Sequence, residues 1–256
     1  MKGKIKLIFL IAFLFSGFIL LTFPQDNLAK LELIFNKANI FYEENKYSEA
    51  IKLYESILEK GYESGHLFYN LGNAYFKKGE LGKAILNYER ALRLIPLDSD
   101  LQANYKYALS LTKVPVKDLE SFWFIRLLNK VVSPFTIEYL TILLSFIYLS
   151  LLGVLILSFY LAFFRKHRKV IVFFLVFLFS FSFSGLILKV SKLGKEAVVI
   201  VKEAQVRFAP LEEATFYFRV YEGQKLRIIS QEGNYYKIRD HRRKIGWIEK
   251  KALEII

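Results

Sequence analysis

Catalysis needs nucleophiles, acid–base pairs or metal ligands at close spacing, and this chain of 256 residues offers few of them. It has no cysteine, and its three histidines, His66, His167 and His241, are far apart in sequence. Disulfides, lipid attachment at cysteine and thiolate chemistry are therefore excluded. The histidines stand in no metal-ligand spacing. There is no nucleophile elbow, no phosphate-cradling glycine loop and no H-E-x-x-H. Adjacent carboxylates occur at Glu43-Glu44 and Glu212-Glu213. Acid–base work by two carboxylates requires them to flank a bond across a cleft, whereas these fall on expected helix and loop surfaces. The expectation is a non-enzymatic protein with no metal and no cofactor.

The remaining chemistry is recognition. The stretch FFRKHRKVIVFF, 163–174, sets Arg165, Lys166, Arg168 and Lys169 between two apolar runs. The chain carries a formal charge of +13 with 54% hydrophobic residues. Residues 24–118 hold 13 basic and 13 acidic groups, so the excess lies elsewhere. Much of it flanks apolar runs, the pattern of a membrane protein with biased loops. A nucleic-acid protein would instead carry a basic face on a folded domain, so no nucleic-acid partner is expected.

Those runs set the organisation. Lys2, Lys4 and Lys6 precede a charge-free stretch from Leu7 to Phe23, the layout of a secretory signal. Residues 1–24 are expected to be either a cleaved signal peptide or an uncleaved signal-anchor. The second run, Tyr139 to Phe164, has 26 residues without a charge, and the third, Val170 to Leu188, has 19. Both suffice to cross a bilayer. Transmembrane helices are expected over 136–164 and 170–190, with Ser133-Pro134 as a start signal. A loop at 165–169 joins them. Its four basic residues place it in the cytoplasm and allow contact with anionic lipid. Residues 119–135 are largely apolar, with Arg126 and Lys130 four apart. They fit an interfacial helix or a last packing helix of the preceding domain.

Residues 38–58, ANIFYEENKYSEAIKLYESIL, superpose without a gap on 72–92, GNAYFKKGELGKAILNYERAL, at an offset of 34. That is the tetratricopeptide period. Gly72 and Ala84 are small where helices cross, Tyr75, Tyr88 and Ala91 fill between pairs, and Pro96 ends a helix. The stretch 30–118 resembles a tetratricopeptide array, with repeats 31–64 and 65–98 and a capping helix 99–113. The first copy departs from the pattern at Lys37 and Tyr62. The resemblance implies a concave face lined by Asn39, Tyr42, Glu43, His66, Tyr69, Asn73, Phe76 and Lys77, which would hold a peptide or partner helix.

From 195 to 256 the chain shifts to short β-branched and aromatic runs between Glu-Gly (222–223), Glu-Gly-Asn (232–234) and Asp240–Arg243 turns. Such spacing predicts a small barrel or sandwich. VRFAP (206–210), EGQKLRII (222–229), YYKIR (235–239) and GWI (246–248) resemble a bacterial Src-homology-3-like barrel. In relatives of that barrel an aromatic groove takes ligands, and Tyr235, Tyr236 and Trp247 are the residues here that would supply one.

The fold class expected is a multi-domain membrane protein: an all-α tetratricopeptide array, a two-helix transmembrane hairpin, and a small all-β barrel. This order, with the YNLGNAYFKKGELGKAILNYERAL and AVVIVKEAQVRFAP stretches, resembles the E proteins of the Bacteroides aerotolerance (Bat) operon. The resemblance implies a scaffold in a bacterial envelope complex at the inner membrane, with both folded modules extracytoplasmic. Its implied partners are membrane proteins with von Willebrand A domains. A different reading of the barrel is cell-wall binding, with peptidoglycan as ligand.

Overall fold

The computed structural model describes residues 25–113 and 123–256. The expected signal segment and the start of the 119–135 stretch lie outside the described residues. The described chain folds into a helical array, an apolar helical hairpin and an antiparallel sheet.

The array comprises α1 (Gln25–Glu43), α2 (Tyr47–Leu58), α3 (Gly65–Lys78), α4 (Leu81–Leu94) and α5 (Ser99–Ser110). Local chemistry sets the ends. Ser64 accepts the Leu67 N–H at 3.1 Å to start α3, and Asp98 does the same for Leu101 at 2.8 Å to start α5. Each satisfies a backbone donor that the first helical turn leaves open. Gly79, at φ +83°, ends α3 in the left-handed conformation that a side chain resists. The core runs through Ala38, Ala50, Tyr54, Leu71, Ala84, Tyr88 and Ala108, all nearly or fully buried. A Cβ on Gly72 would lie 2.7 Å from the Tyr88 ring, so glycine there lets α3 and α4 close.

Next come α6 (Trp123–Val132), α7 (Ile137–Tyr160) and α8 (Ala162–Val190). α7 and α8 are each long and apolar enough to cross a membrane. Most of their large side chains are exposed, including Ile142, Phe146, Phe173 and Phe177. A soluble core helix would bury them. The helices are antiparallel, since Lys189 near the end of α8 donates to the Ser133 carbonyl at 3.4 Å, just before α7. α6 buries Leu128 and Val132 against Leu140 and the end of α8. Val132 fills the space over Gly185, where a Cβ would meet it at 2.7 Å. Thus α6 packs on the hairpin.

Two expectations here are corrected. The start signal at Ser133-Pro134 is not the cap of α7: Thr136 is, its hydroxyl accepting the Tyr139 N–H at 3.3 Å. The loop expected at 165–169 is helical. Only Leu161 leaves helical geometry, at φ −114° and ψ 122°, and the basic cluster forms the early turns of α8. RKHRK contains no glycine, proline or asparagine, and Lys and Arg are good helix formers.

The sheet contains β1 (Glu196–Val199), β2 (Glu203–Arg207), β3 (Phe216–Tyr221), β4 (Lys225–Glu232), β5 (Tyr235–Arg239), β6 (Ile245–Glu249) and β7 (Leu253–Ile255). Their order is β3-β2-β6-β5-β4-β1-β7, with antiparallel pairing throughout. The expected closed barrel is corrected to an open sheet, with β3 and β7 as its edges. The reason lies in α4. Arg90 donates to the Ile255 carbonyl and Arg93 to the Ile256 oxygen, both at 2.7 Å. The β7 edge thus meets arginine donors where a closed barrel would place β3.

The sheet therefore docks on the array. Val198 and Ile256 join the core of the repeats. Gly82 sits so close that a Cβ would lie 2.6 Å from the Val199 carbonyl oxygen, and its N–H donates to Glu222 at 3.0 Å. Gly223, at φ +78°, fits against Ile85 and Thr112. Lys225 reaches Glu89 at 3.0 Å and Glu196 at 3.1 Å across the junction. Burial opposes the charge on Glu89, but Lys225 and the Tyr105 hydroxyl outweigh it and hold the carboxyl below its ordinary range. Burial likewise opposes the charge on Lys225, and the two carboxylates outweigh it and push its pKa up.

Candidate partner-binding groove

The array carries a polar unit that repeats with the fold. Tyr54 donates to Asn39 Oδ1 at 2.6 Å, and Asn70 donates to the same oxygen at 3.0 Å. Thirty-four residues on, Tyr88 donates to Asn73 Oδ1 at 2.7 Å, and Asn104 donates to that oxygen at 3.1 Å. The tyrosines come from α2 and α4, the asparagines from α1, α3 and α5. Each unit therefore ties the first helix of one pair to its own second helix and to the next first helix. With Oδ1 of Asn39 and Asn73 committed, what each offers a ligand is its Nδ2 donor.

Burial pushes the Tyr54 and Tyr88 phenols up from their ordinary pKa. Tyr42 is pushed up too, by burial and then by Tyr47 and Tyr69. All three are neutral hydroxyls at neutral pH. Beside them lies a cleft of about 260 Å³ lined by Asn39, Tyr42, Glu43, Tyr54, Asn70 and Asn73. It presents amide donors, phenol faces and one carboxylate. That set matches the main chain of a peptide, with Glu43 favouring a basic side chain on the occupant.

Of the residues singled out in the sequence, Asn39, Tyr42, Glu43 and Asn73 line this cleft. Tyr69 lies next to it, accepting from Asn104 at 3.0 Å and packing 6.2 Å from the Tyr88 ring. Phe76 is further along α3, 5.7 Å from Tyr107. Lys77 and His66 are exposed and do not line the cleft. Sequence reasoning missed Tyr54, Asn70 and Asn104 as site residues. Their signal was present: Asn70 and Asn104 share the 34-residue offset of Asn39 and Asn73.

The aromatic groove expected on the sheet is split. Tyr235 pairs with Glu249, and Lys237 with Trp247, so Tyr235 and Trp247 share the outer face. Tyr236 pairs with Ile248, which is fully buried, and packs into the core. This follows from alternation along a strand, which sends adjacent tyrosines to opposite faces. Lys237 lies 5.5 Å over the Trp247 ring. A second cleft, about 340 Å³, opens between β2 and β6 and includes Arg207, Tyr235, Glu249 and Lys251.

Arg165, Lys166, Arg168 and Lys169 are exposed on α8. Arg165 also turns back onto α7, reaching the Ser158 and Phe159 carbonyls at 3.4 Å. A cation there meets the negative end of α7. Among the described residues there is no group of three metal-ligating side chains.

No curated protein matches the chain. The family model for the tetratricopeptide repeat matches residues 35–99, from within α1 to the start of α5. The model for the GW (Gly-Tryp) dipeptide domain matches residues 200–254, which contain the dipeptide Gly246-Trp247. The chain thus joins a repeat region of the tetratricopeptide kind to a sheet similar to a GW module.

Proposed function

We propose that this chain is a non-enzymatic, membrane-anchored scaffold. In this reading α7 and α8 span the inner membrane of a bacterium, with the basic cluster at the start of α8 retained in the cytoplasm. The repeats and the sheet then share the extracytoplasmic side, and the repeat groove holds a segment of a partner protein. The observation that carries this is the duplicated asparagine–tyrosine unit with its cleft. It supplies fixed side-chain amide donors to which the main chain of an extended segment can bond. The order of modules resembles that of the Bat-operon E proteins, so the setting proposed is an envelope complex with von Willebrand A-domain membrane proteins as partners.

The test is a photo-cross-linking residue at Asn70 in intact cells. The scaffold reading expects a cross-linked membrane protein whose yield falls at least tenfold, about 1.4 kcal/mol, when Asn39 and Asn73 are both changed to alanine. No cross-link from Asn70, or one unaffected by that pair, contradicts it.

A second reading is cell-wall binding, favoured by the similarity to GW modules and by the cleft with Arg207, Tyr235 and Lys251. Retention of the detergent-solubilised full chain on isolated sacculi, lost on Arg207→Gln with Lys251→Gln, would support it. No retention removes it.

A further inference from the structure

Where α4, the ends of the hairpin and the sheet meet, they border an open cavity of about 280 Å³. Its charged lining is Arg93 from α4, Lys189 from α8, Lys192 just beyond it, Glu196 at the start of β1, Lys225 from β4, and Glu89 from α4. Lys225 lies between the two carboxylates, at 3.0 and 3.1 Å. Four cations and two carboxylates thus line the cavity, with Lys189 and Lys192 on its hairpin side. Arg93 adds a specific feature. Its Nη1 donates to the Ile256 oxygen, while Nη2 is buried with no hydrogen-bond acceptor and faces the Glu196 carboxylate only at the longer ion-pair distance of 3.8 Å. A buried guanidinium N–H without an acceptor costs free energy that a bound anion would recover.

We infer that this cavity holds the phosphate of an anionic glycerophospholipid at the outer surface of the membrane. Three cations, one on α4 and two at the C-terminal end of α8, one of them an arginine whose Nη2 makes no hydrogen bond, suit a phosphate diester. The location selects a lipid source. The cavity is also lined by Ile137, the first residue of α7. Both membrane-crossing helices thus have an end at the site, where headgroups lie. Ile187, Val190 and Leu193 are exposed around Lys189 and Lys192, a surface for acyl chains just below. Trp123, Leu127 and Val131 make an exposed stripe along α6, which packs on the same end of α8. Tryptophan and apolar neighbours on one face suit the interfacial layer. The bound lipid would pin the hairpin to the docked modules and fix their height above the bilayer. This inference rests on the reading that α7 and α8 span a membrane.

The experiment uses the full chain purified in detergent and titrated with dioleoylphosphatidylglycerol, with bound lipid counted by native mass spectrometry. Carbonate-resistant insertion of the same preparation into phosphatidylcholine vesicles is measured in parallel. Failure to insert refutes the membrane reading itself. Given insertion, the inference expects one tightly held phosphatidylglycerol. The double variant Lys189→Gln, Lys192→Gln should weaken it at least tenfold, and Lys189→Arg, Lys192→Arg should restore it. Equal affinity of the native chain and the glutamine variant overturns the site. So does equal affinity for phosphatidylcholine and phosphatidylglycerol. Displacement of the lipid by inorganic phosphate or glycerol phosphate at matched concentration overturns the lipid as source and assigns a soluble phosphate.

Discussion

Replacing Gly82 with alanine places a methyl group 2.6 Å from the Val199 carbonyl oxygen and 2.9 Å from Ile200 Cα. Both are backbone atoms, so no side-chain rotation relieves the contact. Ordinary packing begins near 3.4 Å, so the sheet must move off α4 by several tenths of an ångström. Overpacking of this kind costs about 1–3 kcal/mol. The same displacement stretches the Gly82 N–H bond to Glu222, 3.0 Å in the native chain. A bond to a charged acceptor contributes about 1.5–3 kcal/mol. Against this, alanine favours helix over glycine by at most about 1 kcal/mol. The two effects act on different things: α4 gains, while docking loses. A net docking loss of about 2 kcal/mol lowers the ratio of docked to undocked chain roughly 30-fold. The chain has no cysteine, so spin labels at Ser48→Cys and Asn234→Cys report the distance between array and sheet. The native chain should give a narrow distance distribution and Gly82→Ala a broad one, with little loss of helix by circular dichroism. A narrow, native-like distribution in Gly82→Ala would refute the docking described above.

Other outcomes follow from the same contacts. Tyr88→Phe removes a donor from Asn73 Oδ1 and leaves the Asn104 bond in place. It should cost about 1 kcal/mol in denaturant unfolding. Tyr54→Phe, its equivalent, should cost the same within about 0.5 kcal/mol. Gly72→Ala forces a Cβ to 2.7 Å from the buried Tyr88 ring. It should lower stability by about 1–3 kcal/mol, read as a fall in Tm. Docking should also depend on pH. Glu89 is held below its unfolded value, so its contribution is present above the ordinary carboxylate range and lost as pH falls through the lowered pKa. Lys225 is held above its unfolded value, so its contribution is present below the ordinary lysine range and lost only as pH rises through the raised pKa. Inter-label distances should therefore be constant around neutrality and broaden in acid. Broadening that begins near pH 7 would contradict this pair as the cause.

How far the sequence carried the fold depended on whether an element announces itself locally. The repeats did so, because Gly72 and Ala84 meet a steric demand for small residues that Ala38 and Ala50 meet 34 residues earlier. The strands did so through alternation and Glu-Gly turns: VRFAP, EGQKLRII, YYKIR and GWI overlap β2, β4, β5 and β6. The cleft was half visible. Asn39 and Asn73 stand at the same repeat position, but the bonds that orient them come from Tyr54, Asn70, Tyr88 and Asn104 on neighbouring helices. The hairpin turn is not legible in the sequence, because RKHRK can continue a helix and Leu161, where the chain does turn, is not a helix-breaking residue type. The docked interface was invisible. Gly223 read only as a turn residue, and its fit against Ile85 joins segments far apart in the chain, with no period to reveal it. The open sheet has the same origin, since Arg90 and Arg93 meet the β7 edge from α4.

The most direct test of the scaffold account is its topology. Single cysteines at Ser48, Arg168 and Asn234, all exposed positions, are labelled in intact cells with a membrane-impermeant thiol reagent, with and without permeabilisation. The account predicts that Ser48→Cys and Asn234→Cys label in intact cells and that Arg168→Cys labels only after permeabilisation. Labelling of Arg168→Cys in intact cells, with Ser48→Cys and Asn234→Cys protected, would contradict it.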